Sequence, residues 1–238
     1  KILRTLLCLL AGTLYAVCLS ACDAKEPLSE NRDAEIESPV IANDLSNQKV
    51  TAIAEDTQGH IWIGTFRGLN KNNVHDYHQY FCTDDSLGLP DNQITHLLRD
   101  SKNRFWVGTV NGVCLYTDKD NFRIIPIEAD NKNVRQILED RNGRIFLNTG
   151  FQLYAYHPRE EKITCVLPEI SPGNAFYAQC HIAPDNNLWV MTSTGLRCYD
   201  PSTLQLKESV ALSGYPYYSY LHNNELWITG NHTLSIFD

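Results

Sequence analysis

This sequence predicts an all-β chain made of tandem four-stranded antiparallel units. Three observations lead there: a sixteen-residue pattern recurs along the chain, the apolar runs inside it are short, and Gly, Asn or Asp stops each run. The parent copy is V-T-A-I-A-E-D-T-Q-G-H-I-W-I-G-T, Val50–Thr65. It returns as Ile94–Thr109 and Val134–Thr149, and in worn form as Cys180–Thr192 and Leu221–Gly230. The aromatics that anchor the copies, Trp62, Trp106, Phe146, Trp189 and Trp227, are spaced by 44, 40, 43 and 38 residues. A period of roughly 40 to 50 residues marks stacked supersecondary units. Apolar runs of about five residues bounded by turn formers exclude helices.

Taken in order, the chain opens with Lys1 and Arg4 ahead of an uncharged, Leu- and Ala-rich stretch, Thr5 to Cys22. A basic start, an apolar middle and small residues at the end read as a secretory signal. Its close, Leu19-Ser20-Ala21-Cys22, resembles a bacterial lipobox, which implies acylation at Cys22. Ordinary cleavage and an uncleaved anchor stay open beside it, and all three readings export the repeats. Residues 23–43 are acidic, contain Pro27 and Pro39, lack a period and read as a tether. The end of the tether, Val40-Ile41-Ala42, reads as more of the same, with an added strand that helps close a ring against the last unit left open beside it.

Each unit then builds itself from its sequence. A first strand (Val50–Ala54, Ile94–Leu98, Val134–Leu138) runs into Asp56, Asp100 or Asp140, with Asp185 as the fourth equivalent. Apolar residues on both faces of this strand imply cover by a neighbour on each side. A polar turn comes next, where Gly59, Asn103 and Gly143 supply the positive φ and the Asp side chain closes the loop. The anchor strand leads to a second turn at Arg67-Gly68 or Asn111-Gly112 and a third strand such as Val113–Thr117. A fourth strand is read at Tyr77–Cys82, Phe122–Ile127, Lys162–Leu167 and Leu204–Ala211. Four short antiparallel strands per repeat make a β-propeller blade, with blades starting near residues 50, 94, 134, 179 and 221 in a domain spanning 44–238.

The pattern V-T-x-I-x-E-D-x-x-G-x-I-W-I-G-T-x-x-G-L resembles the two-component regulator propeller repeat. The connector Leu87–Ile94, L-G-L-P-D-N-Q-I, resembles that family's link between blades. Met191 replaces the family's Gly in copy four, and Thr229 and Gly230 are swapped in copy five. The resemblance implies the periplasmic sensor region of a hybrid two-component histidine kinase of the Bacteroides type. It further implies a seven-bladed ring, of which four complete blades and part of a fifth are present here. It also implies a second propeller, an immunoglobulin-like module, one membrane helix, and cytoplasmic kinase, receiver and DNA-binding domains. Assembly as a homodimer and an oligosaccharide or similar small ligand belong to the same implication.

Other features of the chain bear on function. A net charge of −8, from 20 basic and 28 acidic residues, excludes a nucleic-acid surface, which needs a basic stripe. Cys82, Cys114, Cys165, Cys180 and Cys198 form no C-x-x-C motif and read as small buried residues. His75-Asp76-Tyr77-His78 with Cys82 has metal-like composition, but residues three apart on a strand point to opposite faces, so no metal site is expected. No nucleophile elbow, phosphate loop or zinc motif is present, so neither catalytic residues nor a cofactor are assigned. The ligand-binding candidates are Arg67 and Asn111 in the second turns and Tyr217 and Tyr218 in the Tyr215–Tyr220 cluster. That cluster is read as the connector into blade five, on the same propeller face as those turns, where exposed aromatics suit sugar rings. The rival reading is a stand-alone exported propeller, either a binding lipoprotein or a lyase-type enzyme. It requires His, Glu or Arg converging on the central channel in a way that breaks the repeat.

Overall fold

A computed structural model describes residues 39–83, 88–117, 119–168, 170, 178–212, 216–222 and 225–237. The leader, the lipobox with Cys22, the tether up to residue 38, and Tyr215 lie outside the described residues. Strands of three to seven residues make up the regular structure, and within each sheet, β1 apart, consecutive strands pair antiparallel. The first sheet holds β1 (Val40–Ala42), β2 (Val50–Glu55), β3 (Ile61–Thr65), β4 (Gly68–Asn73) and β5 (Asp76–Tyr80). The second holds β6 (Ile94–Arg99), β7 (Phe105–Thr109), β8 (Gly112–Thr117) and β9 (Asn121–Ile125). The third holds β10 (Gln136–Glu139), β11 (Ile145–Asn148), β12 (Leu153–His157) and β13 (Lys162–Leu167). The fourth holds β14 (Gln179–Ile182), β15 (Leu188–Thr192), β16 (Gly195–Tyr199) and β17 (Leu206–Ala211). In the fifth, β18 (Pro216–His222), β19 (Glu225–Gly230) and β20 (Thr233–Phe237) are paired. The strands β2, β6, β10, β14 and β18 contact one another in succession, so the sheets fan out from a common axis as propeller blades.

Successive sheets are held together by four apolar clusters. Trp62 fills the gap toward the second sheet, within 5.0 Å of the Phe105 ring and 4.7 Å of Tyr116. Trp106 packs into the gap between the second and third sheets, 4.9 Å from the Tyr156 ring. Phe146 belongs to the cluster of the third and fourth sheets, and Trp189 packs against that of the fourth and fifth. The aromatic anchors are therefore spacers between blades, as their recurrence predicts.

A buried carboxylate ties each full repeat together. Asp56 Oδ1 accepts the amides of Gln58 (2.8 Å) and His60 (3.0 Å), while Oδ2 accepts Trp62 Nε1 at 2.8 Å. Asp100 repeats this with the amides of Lys102 and Arg104 and with Trp106 Nε1 at 2.8 Å, adding Arg104 Nε at 2.6 Å. Asp140 has no indole to accept, because Phe146 stands there, and keeps the amides of Asn142 and Arg144 at 2.9 Å and Arg144 Nε at 3.0 Å. Positive φ at Gly59 (85°), Asn103 (62°) and Gly143 (73°) lets the turn close, as expected. Burial pushes the Asp56 carboxyl up, but the Trp62, His60 and Gln58 donors outweigh it and hold the group below its ordinary value.

Several sequence expectations need correction. Ala183, not Asp185, occupies the strand-ending position of the fourth repeat: its amide bonds Asn187 O as the Asp140 amide bonds Arg144 O. Asp185 lies two residues further on, inside the turn, and accepts the Asn187 amide at 2.9 Å. The fifth sheet begins at Pro216 instead of near 221, because the Tyr run itself forms the first strand, pairing Tyr218 with Thr229 and Tyr220 with Trp227. Strand β1 pairs with β5 at the outer edge of the first sheet, with Ile41 opposite His78, and closes nothing against the last one. That edge offers it unpaired backbone groups. The first strand of copy one is not covered on both faces; Ile53 is 66% exposed. Cys82 and Cys165 are exposed, whereas Cys114, Cys180 and Cys198 are buried as expected.

The Gly before each Thr is a packing residue. A Cβ on Gly64 would sit 2.5 Å from Ile94 Cγ2, and one on Gly108 would sit 3.1 Å from Val134 Cγ1. Where Asn148 and Met191 occupy this position, both side chains are buried. The next residue, Thr, closes the second turn: Thr65, Thr109 and Thr192 are buried and donate to Gly68 O, Gly112 O and Gly195 O at 2.8, 3.0 and 2.9 Å.

These contacts set the expected outcomes of urea unfolding. Gly64→Ala costs about 1–3 kcal/mol through overpacking against Ile94, and Gly108→Ala costs less. Asp100→Ala costs about 2–4 kcal/mol because it orphans buried donors, and its effect is non-additive with Trp106→Phe. Asp56 binds its proton less readily folded than unfolded, so its stabilisation is complete above its ordinary value of 3.8 and lost as pH falls through the lower folded value. Asp56→Asn therefore flattens the acid limb of a stability–pH curve.

Candidate functional site

The first strands leave a pocket of about 470 Å³ at the axis, lined by residues from all five blades. Strand pairing aligns the contributing positions. Ala52 pairs with Gly64, His96 with Gly108, Gln136 with Asn148, Gln179 with Met191 and Tyr218 with Thr229. These are one column of the repeat, and every member lines the pocket. In the three full repeats the turn-closing Asp and Thr positions do not vary, whereas this column reads Ala, His, Gln there and continues as Gln and Tyr in the worn copies. Arg135, Thr51 and Thr95 complete the polar lining.

The column also latches blade to blade. His96 Nδ1 accepts the Ile137 amide at 3.4 Å, Gln136 Oε1 accepts the Cys180 amide at 2.9 Å, and Gln179 Oε1 accepts the Ser219 amide at 2.6 Å. Each acceptor satisfies the first strand of the next blade, which has no partner strand on its axial side. Ala52 has no acceptor to offer. Next to it, the Thr51 hydroxyl is buried without a hydrogen-bond partner, while Thr95 donates its own to Val134 O. Burial pushes the His96 imidazole down to about 4, so it lines the pocket uncharged at neutral pH. Burial also lowers Arg135 from its ordinary value, but a guanidinium keeps its charge. Among the described residues no Asp or Glu lines this pocket.

Of the sequence candidates, only Tyr218 reaches the pocket. Tyr217 is its neighbour on β18, half exposed and outside the lining. Arg67 and Asn111 stand in exposed second turns, where the Thr65 and Thr109 hydroxyls hold their amides at 3.1 and 3.2 Å. His96, Arg135, Gln136 and Gln179 were missed. The signal was available in the chemically varied positions of the first strand, Thr51, Thr95 and Arg135 in one column and Ala52, His96, Gln136 and Gln179 in the next, but reading it needs the correct register of the worn copies. His75, Asp76 and His78 form no cluster able to hold a metal, and among the described residues no group of three or more such ligands occurs.

The two-component regulator propeller family model matches residues 44–67 and 88–111, the first two repeats with their lead-in segments. Those two repeats are of the two-component regulator propeller type. No curated protein sequence matches it. Among solved structures, the extracellular domain of a hybrid two-component system from B. thetaiotaomicron superposes with a TM-score of 0.65 at 20% identity. That match covers 79% of this chain and 27% of the other, so the chain spans about a quarter of that extracellular domain. Virginiamycin B lyase from Staphylococcus aureus superposes with a TM-score of 0.61 at 17% identity, covering 83% of this chain and 73% of that one. An auxiliary nutrient binding protein from Bacteroides thetaiotaomicron gives 0.54 at 10%, covering 79% and 54%. At these identities the likenesses show the propeller fold. Among the described residues no helix is long and apolar enough to cross a membrane.

The buried imidazoles set a pH dependence. His96 and His181 have folded values of about 4 against an ordinary 6.5. Between those values the unfolded chain takes up protons that the folded chain refuses, so stability falls as pH drops from 6.5 toward 4. His96→Gln keeps an acceptor and removes part of that loss, as read from denaturation midpoints across the window.

Proposed function

We propose that this chain is part of the extracytoplasmic ligand-sensing region of a hybrid two-component sensor, and that the axial pocket takes a small polar ligand. The observation that carries this is the contrast between a repeating framework and the varied polar side chains that two neighbouring columns of the first strand, those of Thr51 and of Ala52, gather around the axis. A framework selected only for packing has no need of such varied pocket chemistry. The ligand class that fits is an oligosaccharide: Tyr218 offers a half-exposed ring face, and Gln136, Gln179, Thr51 and the Arg135 cation offer hydrogen-bonding groups. The family match in two repeats supports the sensor context. Signalling then requires only that ligand bind one arrangement of a dimeric receptor better than another.

A lyase-type enzyme is the second reading, favoured by His96 and Arg135 at the axis and by the fold shared with virginiamycin B lyase. Against it, the pocket has no carboxylate among the described residues to complete an acid–base pair, and His96 Nδ1 is already engaged by a backbone amide.

Calorimetric titration with a panel of neutral oligosaccharides tests the proposal. Tyr218→Ala and Arg135→Ala each weaken binding at least about tenfold, or about 1.4 kcal/mol. Arg67→Ala, Asn111→Ala and Tyr217→Ala leave it within about twofold. Equal affinity across all five variants would remove the axial site, and ligand breakdown abolished by His96→Ala would establish the enzyme.

A further inference from the structure

A second cleft, of about 380 Å³, opens between the first and second sheets on the face that carries the first turns. The axial pocket, by contrast, lies toward the connector ends of the first strands. Three cations line the cleft: Lys71 from β4, Arg99 from the end of β6, and Lys119 from the turn between β8 and β9. In a chain whose net charge is −8, this is a local reversal. Among the described residues none of the three has a carboxylate within ion-pair distance, although Lys71 is near enough to Asp120 to help lower that carboxyl. The Lys71 ammonium lies over the rings of Trp62 (5.3 Å) and Tyr116 (5.5 Å), and Arg99 donates to the main-chain oxygen of Asp56 at 3.0 Å.

The cleft's two acids accept hydrogen bonds of their own, Asp56 through both oxygens and Asp120 through Oδ1. Both Asp56 oxygens are taken by the first turn and the Trp62 indole. Asp120 Oδ1 accepts the hydroxyls of Tyr80 at 2.6 Å and Tyr116 at 2.9 Å, which pins the third turn of the second sheet across to the first. Lys119 and Asp120 both adopt positive φ, 80° and 60°. That backbone conformation is uncommon for residues with a side chain, and here it places the ammonium of Lys119 and the carboxylate of Asp120 on the cleft. Three charges against two leave an excess of one positive charge, with Asn103 and Gln58 as neutral donors and Tyr116 as an aromatic wall.

We propose that this cleft is a second binding site, for a small organic anion whose carboxylate or phosphate head meets Lys71, Arg99 and Lys119 while its ring lies on Tyr116. It is independent of the axial site, since no residue lines both. A sensor with both sites reads two chemistries, one neutral and one acidic. The sites couple only if both ligands favour the same packing of the first two blades.

Calorimetry at low ionic strength with glucuronate, inorganic phosphate and glucose is the test. Glucuronate binds, glucose does not, and added salt weakens the glucuronate affinity. Phosphate binds more weakly than glucuronate because it lacks the ring; equal binding would overturn the Tyr116 contact. Lys71→Gln with Lys119→Gln lowers glucuronate affinity at least about tenfold. Lys119→Gln alone, on an exposed turn with no packing role, lowers it about threefold or more. Tyr218→Ala and Arg135→Ala leave it unchanged, so failure of the axial reading and failure of this one are told apart. Glucuronate binding no better than glucose, or unaffected by both lysine changes, overturns the proposal.

Discussion

A carboxylate sealed away from water at the end of the first strand is the interaction on which each full repeat depends. Burying it costs several kcal/mol, and only a full set of donors offsets that cost. Asp100 finds four of them, from two turn amides, a guanidinium and an indole. The same atoms thus fix the turn and hold the anchor aromatic in the gap to the next blade. Turn geometry and interblade spacing become one constraint, and the regular recurrence of the motif is its consequence.

Where that carboxylate is missing, the repeat relaxes. Ala183 stands in its place in the fourth blade, and Trp189 is only partly buried, unlike Trp62 and Trp106. In the fifth blade Trp227 donates instead to Glu225 at 3.0 Å, a residue of its own strand. These are the two worn copies, and their wear has a physical meaning. The aromatic remains as a spacer, but its direction is no longer tied to the preceding turn.

The blades meet most closely at the axis, and there packing and recognition compete for the same side chains. His96, Gln136 and Gln179 each satisfy a backbone amide of the next blade, so none is purely a ligand group. Tyr218, last in the column and half exposed, has its ring available for a ligand. The site is therefore graded around the axis, from Ala52 with nothing to offer, through engaged acceptors, to an open aromatic.

Repetition made the fold legible in the residues alone: Asp56, Gly59, Trp62 and Thr65 have counterparts in register, and each recurrence reports a constraint acting over a short span of chain. The strands, the turns and the aromatic spacers are its products. The axial pocket and the cationic cleft are not, because their members come from different repeats and meet only once the sheets are fanned. Register in the fourth copy is carried by Trp189, which stands six residues after Ala183 as Trp62 stands six after Asp56; the nearby Asp185 pulls the alignment two residues off and moves the whole column. Local hydrogen bonding is written in sequence; the convergence of side chains from separate sheets on one axis exists only in three dimensions.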